Sequence, residues 1–151
     1  MSRAKKIKYI VIHTSAGFGS YESMQQHWKR LGWKTGGYHR VIYTDGKVVN
    51  AYDFEKVTNG VAGFNSESIH ICYQGGVDKQ GKGKDTRTEQ QKAKLIECIT
   101  ESMEWLKSNG NDLKNVMILG HRDFSKDVNK NGVIDSFERI KECPCFDAIP
   151  E

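Results

Sequence analysis

The distribution of apolar residues along the chain predicts five strands. Each predicted strand is a short run rich in β-branched or aromatic residues and bounded by glycine or polar turn residues. Asp45-Gly46 lies between two of these runs, and this pair is typical of a type I′ hairpin turn. The predicted strands cover residues 7–13, 38–44, 47–52, 68–74 and 116–119.

Two further segments carry the signals of helices. Ser20 is a suitable N-cap for a helix over residues 21–31, which Gly32 would close. A longer helix begins at Thr88 and ends before Asn109-Gly110. We expect its buried stripe to consist of Ala93, Leu95, Ile96, Ile99, Met103 and Leu106. Together these elements predict a single α/β domain over residues 1–151, with a mixed central β-sheet flanked by α-helices.

Composition and charge narrow the class of protein. The 151 residues are 37% hydrophobic and 28% charged, which is typical of a soluble domain with one core. The net charge of +4 is mild, and the chain has no arginine-rich helix, so we expect no nucleic-acid partner. It has no apolar run long enough to span a membrane. The N-terminal segment is too short and too polar for a signal peptide, so we expect synthesis in the cytoplasm. No linker or second binding module is visible in the sequence, and we expect a monomer.

The four cysteines fall into two groups. Cys72 lies in an apolar run and Cys98 in a helical pattern, so both are predicted to be buried as small hydrophobic residues. Without a secretory signal a disulfide framework is disfavoured. Cys143 and Cys145 flank Pro144 near the end of the chain.

Two histidines and the cysteine–proline segment predict a zinc site. His13 and His121 each follow an apolar strand, and the end of a strand is a rigid place for a ligand. Zinc favours histidine and cysteine ligands, and three protein ligands leave a position open for water. Either Cys143 or Cys145 would complete such a site. With three protein ligands and one open position, it would be a catalytic zinc site.

Residues 127–138 match the twelve-residue calcium-loop pattern at every required position. Gly132 allows the sharp turn. The alternative is an ordinary polar turn, and no clear helix precedes the loop. If calcium is bound, the oxygen donors are Asp127, Asn129, Asn131, the Val133 carbonyl, Asp135 and Glu138.

An ordered set of short motifs spans nearly the whole chain. They are Val11-Ile12-His13-Thr14, Gly37-Tyr38-His39, Asp45-Gly46, residues 63–69, Gly75-Gly76, Gly120-His121-Arg122-Asp123 and residues 141–147. In this set and order the chain resembles the zinc-dependent N-acetylmuramoyl-L-alanine amidases of the phage-lysozyme and peptidoglycan-recognition type, the amidase type 2 family.

The resemblance implies both a reaction and a set of site residues. The reaction is hydrolysis of the amide between N-acetylmuramic acid and the L-alanine of the peptidoglycan stem peptide. The implied zinc ligands are His13, His121 and Cys143, since the family's ligand cysteine immediately precedes a proline. Tyr38 and Lys141 are the implied catalytic residues. A phage or prophage endolysin, released to the cell wall through a membrane hole made by another protein, fits this reading.

Other readings of the chain remain open. One is a non-catalytic peptidoglycan-binding or regulatory protein on the same fold, and another is a zinc hydrolase of small amides. The presence of Tyr38 and Lys141 favours the amidase. Phage relatives often carry a histidine near residues 59–62, and this chain has none there. His27, His39 and His70 are interpreted as structural or surface residues.

Overall fold

The computed structural model of the protein describes residues 3–15, 17–61, 64–76 and 85–120. The predicted strands and helices within these ranges are confirmed, with the two hairpin strands shorter than expected. The strands are β1 (Tyr9–Thr14), β2 (Arg40–Ile42), β3 (Val48–Asn50), β4 (Ser68–Tyr73) and β5 (Met117–Gly120). The α-helices are α1 (Tyr21–Arg30) and α2 (Glu89–Ser108), and short 3-10 turns lie at Arg3–Lys6 and Asn65–Glu67.

The described strands form one mixed sheet in the order β3-β2-β4-β1-β5. β1 is parallel to both β4 and β5, β2 is parallel to β4, and only β3 runs antiparallel to its neighbour. Tyr9 therefore pairs with Ser68 on one side and with Met117 on the other. This arrangement confirms the predicted mixed α/β sheet and makes β1 an interior strand.

Helix α2 covers one face of the sheet. Leu95 and Leu106 of α2 join the same buried cluster as Ile12 and Ile71 of the sheet. The predicted stripe was wrong at two residues: Ala93 is exposed, and Ile96 is 66% exposed. Neighbouring helical residues differ by about 100° in direction, so the residue next to a buried Leu95 turns toward solvent. The buried side of α2 consists of Gln91, Leu95, Cys98, Ser102 and Leu106.

The start of α2 is tied to the ends of two strands. Thr88 and Gln91 form a capping box, in which each side chain accepts a hydrogen bond from the other residue's backbone N–H at 3.0 Å. The buried Gln91 amide also donates to the carbonyls of Ile42 and Gln74, at 3.2 and 2.8 Å. These bonds fix α2 against the ends of β2 and β4.

The hairpin turn differs from the type predicted. A type I′ turn needs positive φ at both central residues. Here Gly46 has φ of +91°, whereas Asp45 does not adopt a positive φ. The Tyr43 N–H donates to the Lys47 carbonyl at 2.8 Å, and the Gly46 N–H donates to the Tyr43 carbonyl at 2.9 Å. The connection is therefore a three-residue loop with glycine in the left-handed position.

Helix α1 lies on the side of the sheet away from α2. Its N-cap is Ser20, whose hydroxyl accepts the Ser23 N–H at 3.2 Å, and Gly32 follows its end with φ of +80°. Its buried residue is Trp28. Neither of the helices in the described ranges combines the length and apolar character that crossing a membrane requires.

Candidate active site

His13 lies near the end of β1 on the sheet face opposite α2. In the parallel ladder Val11 pairs with His70 and His13 pairs with Cys72, so these side chains share one face of the sheet. His13 is only 1% exposed. A buried imidazole at a strand end is held in one direction, as a metal ligand must be.

Tyr38 is brought against His13 by aromatic packing. The centroids of the two rings are 5.1 Å apart, with the ring planes inclined by 48°. The other neighbour of Tyr38 is Trp28 of α1, which meets it edge to face at 5.6 Å. A Cβ atom at Gly36 would come within 2.6 Å of the Trp28 ring, so this position must lack a side chain. The structure thus brings together two of the residues predicted from the sequence.

A buried hydrogen-bond chain leads away from His13. Its Nε2 lies 2.9 Å from Nδ1 of His70, and Nε2 of His70 lies 3.0 Å from Oδ1 of Asn65. The same Asn65 oxygen accepts the Val61 N–H at 2.8 Å. Sequence reasoning missed this chain, because it assigned His70 only a structural or surface role. The signal available was the alternation along β4, which places His70 on the face of His13.

His39, the residue just before β2, supports His70. Its Nδ1 accepts the backbone N–H of His70 at 3.0 Å, and its Nε2 donates to the Lys56 carbonyl at 2.7 Å. The two imidazole rings stack with centroids 6.1 Å apart and planes inclined by 15°. Desolvation by burial lowers the pKa of His39 to about 4, so its ring is neutral at pH 7. The structural role expected for His39 is confirmed.

Arg3 ties together the loops around this cluster. Its guanidinium group donates to the carbonyls of Phe54, Lys56 and Ser68 at 2.7, 3.0 and 3.0 Å. Desolvation by burial lowers the pKa of Arg3 to about 10, an effect that the nearby Glu55 opposes. Arg3 is therefore still charged at neutral pH. Its hydrogen bonds hold the loop that contains Phe54 and Lys56 next to Ser68, which follows the 3-10 turn at Asn65–Glu67.

A cleft of about 220 Å³ opens beside Tyr38. It lies between α1 and the segment after β1, and its wall combines aromatic surface with hydroxyl and imidazole groups. Such a mixture suits a substrate with both apolar and polar parts. The lining residues are Ser15, Gly17, Gly19, Ser23, Met24, His27, Trp28 and Tyr38.

The other predicted site residues lie outside the described residues. Within residues 3–15, 17–61, 64–76 and 85–120, no three His, Cys, Asp or Glu side chains are grouped to hold a metal ion. β5 ends at Gly120, which pairs with Ile12, the residue before His13. The predictions outside these ranges concern His121, Lys141, Cys143 and the calcium-loop donors Asp127, Asn129, Asn131, Val133, Asp135 and Glu138.

The family profile described as N-acetylmuramoyl-L-alanine amidase matches residues 3–144. The chain belongs to this family. Membership of this family makes the chain a peptidoglycan amidase. The match also confirms the resemblance that the ordered motifs indicated. The match covers every predicted zinc ligand and both predicted catalytic residues.

Individual proteins are also similar to the chain. The chain is 36% identical over 103 residues to an uncharacterized protein of Haemophilus influenzae, covering 68% of this chain and 83% of that protein. It is 32% identical over 105 residues to the endolysin of Klebsiella phage KP32, covering 66% of this chain and 69% of the endolysin. Among solved structures, the N-acetylmuramoyl-L-alanine amidase LysC from Clostridium intestinale has the same fold. The TM-score is 0.69 at 21% identity, with 99% of this chain and 83% of LysC covered.

Proposed function

We propose that the chain is a zinc-dependent N-acetylmuramoyl-L-alanine amidase whose metal ligands are His13, His121 and Cys143. The observation that carries the proposal is the pairing of buried His13 with Tyr38 at the end of an interior strand. His121 follows directly after Gly120, whose partner in the ladder is Ile12. Continuing that register by one residue would set His121 opposite His13, on the same edge of the sheet.

The donor set fits zinc. Two imidazoles and one thiolate are ligands that zinc prefers, and three of them leave one position for water. A zinc ion in such a site supplies a water activated near neutral pH and an electrophile for the carbonyl oxygen. The His13 ring is already buried and hydrogen-bonded through Nε2, so little entropy is lost in ordering it.

The remaining chemistry belongs to Tyr38 and Lys141. The Tyr38 hydroxyl would hold the attacking water or pass a proton to the departing amine of L-alanine. Lys141 lies two residues before Cys143 in the sequence and would donate to the oxygen that gains charge. The cleft beside Tyr38 would receive part of the muramyl peptide.

We also propose that residues 127–138 bind calcium through the six donors predicted from the sequence. This segment lies between His121 and Lys141, so an ordered loop would fix the spacing of those residues. The family match over residues 3–144 supports a single amidase domain that contains this loop as an insert. The endolysin relatives support a lytic role at the cell wall. We further propose that the chain acts as a monomer.

The first experiment combines metal analysis with a mapped cleavage assay. Purified protein is expected to contain one zinc per chain and to solubilise peptidoglycan, with a new L-alanine amino terminus released. Chelation should abolish the release, and zinc should restore it. Zinc binding without any cleavage would identify a peptidoglycan-binding protein instead. Cleavage of small amides alone would identify a zinc hydrolase of small amides. A chain that binds no zinc would refute the three ligands.

A further inference from the structure

We infer that His70 and Asn65 are positioning residues that hold His13 in the tautomer whose Nδ1 presents its lone pair to the metal. The inference rests on the proposed zinc site. It adds two residues that would contact a zinc ligand and not the zinc ion itself.

Asn65 fixes which groups donate and which accept in the row of hydrogen bonds that joins it to His70 and His13. A backbone N–H can only donate, so the Asn65 atom that lies 2.8 Å from the Val61 N–H is the amide oxygen. The His70 Nε2 atom lies 3.0 Å from this same oxygen. Two acceptors cannot bond to each other, so Nε2 of His70 carries a hydrogen.

The tautomer of His13 follows from that of His70. A neutral imidazole has one donor and one acceptor nitrogen, so in a neutral His70 donation from Nε2 leaves Nδ1 as the acceptor. The partner of that Nδ1 is Nε2 of His13, at 2.9 Å. His13 therefore donates through Nε2, and its lone pair resides on Nδ1. Zinc binds the unprotonated nitrogen of a neutral imidazole.

The His70 ring is confined on several sides. His70 is fully buried, and the His39 ring stacks on it with planes 15° apart. A Cβ atom added at Gly60 would overlap the His70 ring, so the ring lies directly against the backbone there. The backbone N–H of His70 is itself bonded to His39 at 3.0 Å. A ring held in this way fixes the orientation of His13 as well as its tautomer.

This geometry predicts an effect on metal affinity. Outer partners of metal-bound histidines typically contribute about 10–100-fold to affinity for the metal. We therefore expect His70→Phe, which retains an aromatic ring but lacks both nitrogens, to weaken zinc binding by about this factor. Asn65→Leu should act in the same direction. Asn65→Asp keeps an acceptor for both donors and is expected to retain the zinc affinity of the unaltered chain.

The test measures the dissociation constant for zinc by competition with a chromophoric chelator, together with the melting temperature of each variant. Val41→Ala is the matched control, because Val41 is buried on the same sheet face. It should lower the melting temperature without changing zinc affinity. If His70→Phe changed only the melting temperature, as Val41→Ala does, His70 would be a packing residue and the inference would be wrong.

A second readout separates this inference from the proposed function. Nitrogen-15 NMR of the imidazole rings reports which nitrogen carries the hydrogen, with or without metal. We expect hydrogen on Nε2 of both His13 and His70. A protein that bound no zinc but showed these tautomers would refute the proposed function and retain the hydrogen-bond assignment. Hydrogen on Nδ1 of His13 would overturn the inference even in an active amidase.

Discussion

The Tyr38 ring lies 5.1 Å from the His13 ring, centroid to centroid, with Trp28 closing its other side. Replacing Tyr38 with Phe keeps this packing and removes only the hydroxyl group. Loss of a proton-transfer group typically costs about 10²–10⁴-fold in rate. We therefore expect kcat for Tyr38→Phe to fall within that range, while zinc content and melting temperature stay unchanged.

Tyr9→Phe is the control for this experiment. Tyr9 lies at the other end of β1, where its ring meets Phe64 edge to face at 5.9 Å. Removal of the Tyr9 hydroxyl group in this variant should leave kcat unaltered. Equal rates for Tyr38→Phe and the unaltered chain would remove Tyr38 from the chemistry.

Lys141 is expected to act on the transition state rather than on the metal. Removal of one donor to a developing oxyanion typically costs about 10²–10³-fold in kcat. Lys141→Ala should show such a loss with one zinc still bound, as measured by steady-state cleavage and elemental analysis. Lys114→Ala, which removes an exposed lysine, should have no effect. A full rate in Lys141→Ala would contradict the assigned role.

Stability should fall in mild acid because of His39. Its pKa is lowered from 6.5 to about 4 in the folded protein, mainly by burial. Between these values the unfolded chain binds more protons, so the free energy of unfolding decreases as the pH falls through this window. A shift of this size corresponds to about 3 kcal/mol once the pH is near 4.

Urea unfolding at a series of pH values measures this effect. The slope of the free energy of unfolding against pH should be smaller in His39→Leu than in the unaltered chain, since the variant lacks the titrating ring. Both proteins are compared at the same zinc concentration. Parallel slopes for the two would show that His39 titrates alike in the folded and unfolded states.

Gly60 should not tolerate a side chain. A Cβ atom there would overlap the His70 ring, which has no space in which to retreat. Forcing extra atoms into a packed core typically costs about 1–3 kcal/mol. We expect Gly60→Ala to lower the free energy of unfolding by that amount and to weaken zinc binding. Gly17→Ala is the control, because a Cβ atom there has no neighbour within 4 Å.

Calcium should stabilise the protein if residues 127–138 form the proposed loop. Millimolar calcium is expected to raise the melting temperature and to slow the loss of zinc to a chelator. Glu138→Gln removes the closing bidentate ligand and should abolish both effects. Glu104→Gln, an exposed change on α2, should leave them intact. An unaltered melting temperature on addition of calcium would refute the loop.

Much of the architecture could be predicted because its signals are local. The β-branched runs gave β1 and β4, and Ser20 and Thr88 marked the starts of α1 and α2. The turn type after Tyr43 was not predictable from Asp45-Gly46 alone, since the same pair fits a two-residue and a three-residue loop. Ala93 and Ile96 were misassigned because a six-residue stripe is wider than the face that the sheet covers.

The site was predictable only in part, for a related reason. His13 and Tyr38 belong to recognisable motifs, and the structure places them together. The His13–His70–Asn65 chain joins residues from β1, β4 and a 3-10 turn, and no sequence spacing relates them. The strand register brings His13 and His70 to the same face of the sheet, and that register depends on contacts between distant parts of the chain.

The interior position of β1 has a consequence for synthesis on the ribosome. Tyr9 is made before both of its neighbours, Ser68 and Met117, which follow 59 and 108 residues later along the chain. At about 5–20 residues per second, β1 waits on the order of several seconds for its first partner and longer for its second. The strand that bears His13 is therefore unpaired until β4 has been made, and it has a free edge until β5 has been made. The candidate active site therefore cannot form on the nascent chain until β5 has been made.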